Sequence, residues 1–240
     1  MNQTAQELWT AVDAYIDGLL FANDAVLESA LAASNQAGLP PISVTPSQGK
    51  LLCLLAQISG ARNVLEIGTL GGYSTLWLAR ALPPDGRILT LEFSARHAEV
   101  ARANFARAGF AEKIEVREGA ALDTLPQIAE EGRGPFDFIF LDANKDGYPD
   151  YLAWALRLAR VGTVIVADNV VRDGEILQTE TADASVRGAQ RFNAMLAAES
   201  SANYPRLSST ILQTVGSKGY DGFALARVLR VESERNTDTR

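Results

Sequence analysis

From residue 63 the chain alternates two apolar patterns. Short runs with little polar interruption predict strands: NVLEIG (63–68), RILTLE (87–92), KIEVREG (113–119), FDFIFLD (136–142) and GTVIVADN (162–169). Between them, apolar residues fall at helical spacing in YSTLWLARAL (73–82), SARHAEVARANFARAG (94–109), LDTLPQIAEEG (122–132) and YPDYLAWALRLAR (148–160). Strands alternating with helices predict a parallel sheet with right-handed crossovers. Strands apolar along their whole length predict helices on both faces.

The flanks follow other rules. Trp9, Val12, Ile16, Leu19 and Leu20 predict one N-terminal helix, and residues 24–37 a second. LPPISVTP (39–46) carries three prolines and reads as an extended connector. Thr45, Pro46 and Gln48 then form a helix start with a capping box, and that helix closes near Gly60. After residue 170 the alternation lapses, and 171–184 reads as a loop. A helix through Val186, Ala189, Phe192, Met195 and Leu196 follows. Two strands, 208–215 and 223–231, are joined by GSKGYDG, a hairpin signal. The expectation is one domain: an N-terminal helical addition (1–60), an α/β core (61–230) and a polar, frayed tail (231–240).

Composition narrows the function classes. The 240 residues are 47% hydrophobic and 21% charged, with net charge −7. An acidic chain argues against a nucleic-acid surface. No apolar run reaches membrane-spanning length, and MNQTAQELWT lacks the regions of a signal peptide. A cytoplasmic location is expected. The one cysteine, Cys53, sits in an apolar run and reads as a buried small hydrophobe. The one histidine, His97, begins a polar helix and reads as solvated, which disfavours histidine-based catalysis.

The first chemical signal is the glycine turn after NVLEIG. A strand, a glycine-rich turn and a helix let a ligand approach backbone N–H groups. A dinucleotide fingerprint would need glycine at 70 and 73, where the chain has Leu70 and Tyr73. That disfavours a nicotinamide oxidoreductase. Glu66, two residues before Gly68, suits a cationic ligand such as a sulfonium amino acid. Glu92 ends the next strand, where an acid can accept both ribose hydroxyls of an adenosine.

EIGTLGGYS, the LTLEF strand end, LDANKD and ADNV resemble the S-adenosylmethionine-dependent O-methyltransferases of the caffeoyl-CoA and catechol type over roughly residues 40–230. The resemblance implies a doubly wound α/β sheet of seven strands, the class I methyltransferase (Rossmann-like) fold, with an antiparallel C-terminal hairpin. It implies that Glu66 holds the methionine amino group, Gly68 and Thr69 give backbone contacts, and Ser74 meets the carboxylate. Glu92 would hold the ribose, Val44 would pack near the methionine portion, and Ala121 and Asn144 would lie near the adenine. Asp142 would touch the cofactor as well as a metal.

Asp142 ends the fourth strand and Asp168-Asn169 the fifth. If these strands are neighbours, two carboxylates and an amide converge, a set suited to Mg²⁺, with Ca²⁺ or Mn²⁺ as alternatives. Either aspartate alone reads as a loop cap; with Asn169 the pair favours a metal, and the family's divalent-metal site matches all three. Lys145 matches the family's candidate general base; taken alone, it reads as a solvated surface lysine. Asp173 stands where plant-type relatives have a substrate-contacting asparagine. The implied reaction is methyl transfer from S-adenosylmethionine to a hydroxyl of a vicinal dihydroxy-aromatic small molecule, in a homodimer. An N-methyltransferase is disfavoured because Asp-Ala-Asn-Lys stands where that class has Asn/Asp-Pro-Pro-aromatic. A non-catalytic S-adenosylmethionine-binding protein is disfavoured by the intact metal and base set.

Overall fold

The computed structural model of the chain describes residues 4–21, 24–201 and 203–231; the tail 232–240 lies outside them. Three helices come first: α1 (Ala5–Leu20), α2 (Ala25–Gln36) and α3 (Pro46–Ile58). Then follow β1 (Asn63–Ile67), α4 (Tyr73–Ala81), β2 (Arg87–Glu92), α5 (Ala95–Arg107), β3 (Ile114–Glu118), α6 (Ala121–Glu130), β4 (Phe136–Leu141), α7 (Tyr148–Leu158) and β5 (Ala159–Asp168). The last elements are α8 (Ala184–Ser201), β6 (Leu207–Gly216) and β7 (Gly219–Val228).

The strands form one sheet in the order β3-β2-β1-β4-β5-β7-β6. The first five are parallel; β7 runs antiparallel to both β5 and β6. The doubly wound seven-stranded expectation is met. Strand side chains alternate between faces. Leu65, Ile67, Ile139, Leu141 and Ile165 pack with residues of α6, α7 and α8. Val64, Ile88, Phe138, Phe140 and Val166 pack with residues of α2 to α5. Each face is therefore a separate apolar layer, and the sheet has no wet face between β1 and β5.

The expected helix start at Thr45 is present. Its hydroxyl accepts from Gln48 N, and Gln48 Oε1 accepts from Thr45 N at 3.0 Å. Cys53 is buried in the core, as expected.

Three boundaries differ from expectation. The seventh helix stops at Leu158, and β5 begins at once rather than at Gly162. Thr163 causes this: its hydroxyl accepts from Arg160 N and donates to Phe136 O, closing a bulge that shifts the β4–β5 register. The C-terminal hairpin turns on only Ser217 and Lys218, because Gly216 already pairs with Gly219. Asp13 on α1 accepts from Ser217 N, and Lys218 Nζ donates to Ile42 O and Ser43 O, which pins the turn to the N-terminal helices and the connector. Finally, the segment read as a loop holds a 3₁₀ stretch (Arg172–Leu177) with Asp173 and Gly174 kinked out of it. Gln190 on α8 donates to Ile176 O and Gln178 O and gives that stretch its anchor.

Helix α8 crosses the short 3₁₀ turn after β4 (Lys145–Gly147) at Gly188. A Cβ there would lie 2.1 Å from Lys145 O and 2.6 Å from Asp146 Cα. Only glycine lets α8 seat against this backbone. Gly188→Ala is expected to cost about 1–3 kcal/mol, the usual range for overpacking. Urea denaturation of the variant measures this; an unchanged midpoint would mean that α8 does not rest on this segment.

Candidate active site

The sheet's topology reverses between β1 and β4, and ligands of open parallel sheets bind beyond the strand ends at such a point. Here the two backbones approach as closely as glycine allows. Gly68 has φ +102°, and a Cβ on it would lie 2.0 Å from Asp142 O. A cavity of about 850 Å³ opens above this junction. Its wall brings together Val44, Gly68, Thr69, Ser74, Glu92, Ala121, Asp142, Asn144, Lys145 and Asn169. These residues come from six separate parts of the chain and were singled out from sequence.

Glu92 closes one end. One carboxylate oxygen accepts from Thr69 N (3.2 Å) and Leu70 N (2.7 Å); the other accepts from Ser94 N (2.9 Å). Glu92 thus ties the glycine turn to the end of β2 while keeping an edge on the cavity. His97 Nδ1 lies 3.2 Å from its Oε1. His97 lines the cavity and is half-buried, contrary to the solvated reading. Ser94 caps α5 and turns the first helical turn back toward Glu92. Phe93 stands beside it, 81% exposed although on the cavity wall.

Glu66 lies beneath the wall. It alternates onto the α4 side of β1, is fully buried, and accepts from three hydroxyls: Ser74 (2.7 Å), Thr75 (2.5 Å) and Thr90 (2.6 Å). Burial raises its pKa to about 7 against the three hydroxyls, which favour the anion. It meets the cavity through Ser74.

Lys145 is buried at the other end. Its Nζ donates to Asp142 Oδ1 at 2.9 Å and to Tyr148 Oη at 2.6 Å. The Tyr148 hydroxyl lies 2.9 Å from both Leu141 O and Asp168 O. Burial, then the charges of Asp142 and Asp168, raise the Tyr148 pKa well above its ordinary value, so the phenol stays protonated. Asn144 is held between Tyr151, whose hydroxyl donates to its Oδ1, and Asp146.

Asp168 lies at the end of β5, next to β4 as expected. Its Oδ1 accepts from Asn169 N at 2.8 Å. Burial and then the nearby charge of Asp142 raise its pKa to about 7, opposed by Lys145. Asp142 and Asp168–Asn169 thus stand at the ends of two paired strands, a set of residue types that suits a hard divalent cation. Among the described residues no group of three or more His, Cys, Asp or Glu is placed to hold a metal; the candidate set here counts an amide among its three donors.

Asp173 does not join this wall. It lines a smaller adjoining cavity of about 280 Å³, which shares Asn169 and includes Lys218, Tyr220 and Asp221. Sequence reading missed four residues that shape the site: Tyr148, Gly188, Arg172 and Asp221. Tyr148 follows Lys145 by three residues, a spacing that could have signalled it.

The O-methyltransferase family profile matches residues 21–227. A catechol O-methyltransferase of Niastella koreensis is 53% identical over 222 residues, covering 92% of this chain and 98% of that one. The O-methyltransferase from Bacillus cereus in complex with SAH is 54% identical with a TM-score of 0.89, covering 93% of this chain and 99% of that one. The Streptomyces achromogenes O-methyltransferase involved in tomaymycin synthesis, in complex with SAM, is 47% identical with a TM-score of 0.89, covering 95% of this chain and all of that one.

The buried Glu66 makes a prediction about pH. Its folded pKa of about 7 lies above the ordinary 4.5. A raised acid adds stability that is full below about pH 4.5 and is lost as pH rises toward 7. The window amounts to roughly 3 kcal/mol. Glu66→Gln mimics the protonated form and removes the slope. Urea denaturation in a chelator at pH 5 and pH 7.5 is expected to show wild type losing stability relative to the variant. A constant difference between the two would assign Glu66 an unshifted pKa.

Proposed function

This chain belongs to the O-methyltransferase family, and from that premise we propose that it methylates a hydroxyl of a vicinal dihydroxy-aromatic small molecule with S-adenosylmethionine as donor. One observation carries the reading: a cavity with Glu92 at one end and the Asp142–Lys145–Asn169 set at the other, all at one switch point. The high identity to a catechol O-methyltransferase supports the acceptor class, and the SAH- and SAM-bound relatives support the donor.

When bound, S-adenosylmethionine supplies an electrophilic methyl group. Glu92 suits its ribose hydroxyls, Ala121, Phe93 and Asn144 its adenine, and Val44, Thr69 and Ser74, backed by Glu66, its methionine portion. A divalent cation, Mg²⁺ foremost, would be held by Asp142, Asp168 and Asn169, and would make a coordinated hydroxyl more acidic. With its amine neutral, Lys145 would receive the proton of the acceptor hydroxyl, while Asp142 and Tyr148 hold its Nζ in place. The exposed apolar residues of α1 (Leu8, Val12, Tyr15, Leu19, Leu20), beside Ile211, Leu212 and Val215 of the edge strand β6, support a homodimer. No helix among the described residues is long and apolar enough to cross a membrane.

Three outcomes are expected. Lys145→Met should still bind S-adenosylmethionine by calorimetry, with kcat lowered by ~10²–10⁴ on catechol and less on nitrocatechols, whose hydroxyl is already acidic. Equal losses on both acceptors would make Lys145 a positioning group. Asp168→Ala should lose Mg²⁺-stimulated turnover while keeping donor affinity; full wild-type activity in a chelator would remove the metal from the mechanism. Light scattering at micromolar concentration should give a dimer mass, and a monomer mass would refute the assembly.

A further inference from the structure

The segment after Asn169 is held in a conformation that side chains rarely adopt. Asn169, Arg172 and Asp173 have φ of +57°, +54° and +54°. Each such residue costs energy and persists only where its surroundings impose it. One carboxylate does so here. Asp221 Oδ1, on β7, accepts from Val171 N (3.0 Å), Arg172 N (2.8 Å) and its neighbour Gly222 N (2.8 Å).

The result is a split in direction. Asp173 lines the smaller cavity, while Arg172 lines the main one beside Lys145, Asn169 and Ser185. The Arg172 guanidinium is not committed elsewhere. Its Nε is buried with no hydrogen-bond partner. Its nearest carboxylate is Asp221, with Nη1 at 3.9 Å, too long for a hydrogen bond. The side chain is 31% exposed, so it is reachable from the cavity. An arginine fork with free donors, held at a cavity wall by a strained backbone, is suited to a planar oxyanion.

We infer that Arg172 is a specificity-determining residue that selects acceptors carrying a carboxylate on the dihydroxy-aromatic ring. This rests on the O-methyltransfer reading of the same cavity. Asp221 is the positioning residue: it fixes the backbone that aims Arg172, and its own distance from the guanidinium leaves the donors for the ligand.

The test compares 3,4-dihydroxybenzoate with the neutral 4-methylcatechol, at saturating S-adenosylmethionine and Mg²⁺. Arg172→Gln should raise KM for the benzoate about ten- to a hundredfold more than for 4-methylcatechol, the usual effect of a lost charge-assisted bond. Arg172→Lys keeps the charge but not the fork and should recover part of the loss. Urea midpoints matching wild type show that both variants fold. An equal rise for both acceptors would overturn the inference and leave Arg172 a loop-positioning residue. A rise in KM for S-adenosylmethionine alone, measured separately at saturating acceptor, would assign Arg172 to the donor's carboxylate and also overturn it. Should wild type methylate neither acceptor, the O-methyltransfer reading fails. Calorimetry of 3,4-dihydroxybenzoate on wild type and Arg172→Gln then decides for Arg172 by itself: weaker binding to the variant supports it, and equal affinity refutes it.

Discussion

The site depends on one hydroxyl. Tyr148 Oη sits where the ends of β4 and β5 meet, with Leu141 O and Asp168 O both at 2.9 Å and Lys145 Nζ at 2.6 Å. A phenol has one proton to give, so the two carbonyls share it and the lysine must donate to the oxygen. That fixes three things together: the spacing of the two strand ends, the position of Nζ, and the side from which Asp142 is reached. Full burial of the ring makes the arrangement stiff, because an unpaired hydroxyl there would cost about 1–3 kcal/mol. A strand that ends in charged and amide groups is tolerable only because this node and its neighbours satisfy them.

The two ends of the cavity solve the same problem differently. At the Glu92 end, backbone amides of the glycine turn and of the α5 entry neutralise the carboxylate, and the acid acts as a brace for the turn. Glu66 is neutralised by hydroxyls, which can reorient as its protonation changes. At the Asp142 end, Lys145 pairs directly with Asp142, while Lys218 lies near enough to feel the charges of both Asp142 and Asp168. The acidic strand ends on this side thus lean on buried side-chain partners, where Glu92 leans on backbone amides.

The fold was legible because its signals are local. Continuous apolar strands, a capping box at Thr45 and glycine stops each act within a few residues, and every expected helix and strand is present, three boundaries apart. Candidate positions were legible where they sit at strand ends, as Glu92, Asp142, Asp168 and Asn169 do. The sequence reading failed where position depends on a distant partner. His97 looked solvated because nothing in SARHAE shows that the Ser94 cap turns it onto Glu92. The segment 171–184 looked irregular because its ordering groups, Gln190 and Asp221, lie on other elements. Glu66, expected to hold the methionine amino group, lies buried beneath the wall and meets the cavity through Ser74.

The same dependence explains why the sheet ends in an antiparallel hairpin. In a wholly parallel sheet every strand stops at the same edge, and the loops above it have no strand to lean on. Strand β7 enters from that edge. Its first residues stand alongside the loop that leaves β5: Asp168 pairs with Phe223, and Val170 N donates to Gly222 O. Asp221 therefore arrives level with Val171 and Arg172, where its carboxylate can accept both amides. The two-residue turn places Lys218 against Ile42 and Ser43 on the opposite wall. One hairpin thus holds the backbone after Asn169 on one side of the crevice and the connector before α3 on the other. Reversal of a single strand gives a rigid rim to an edge that parallel strands alone would leave to loops.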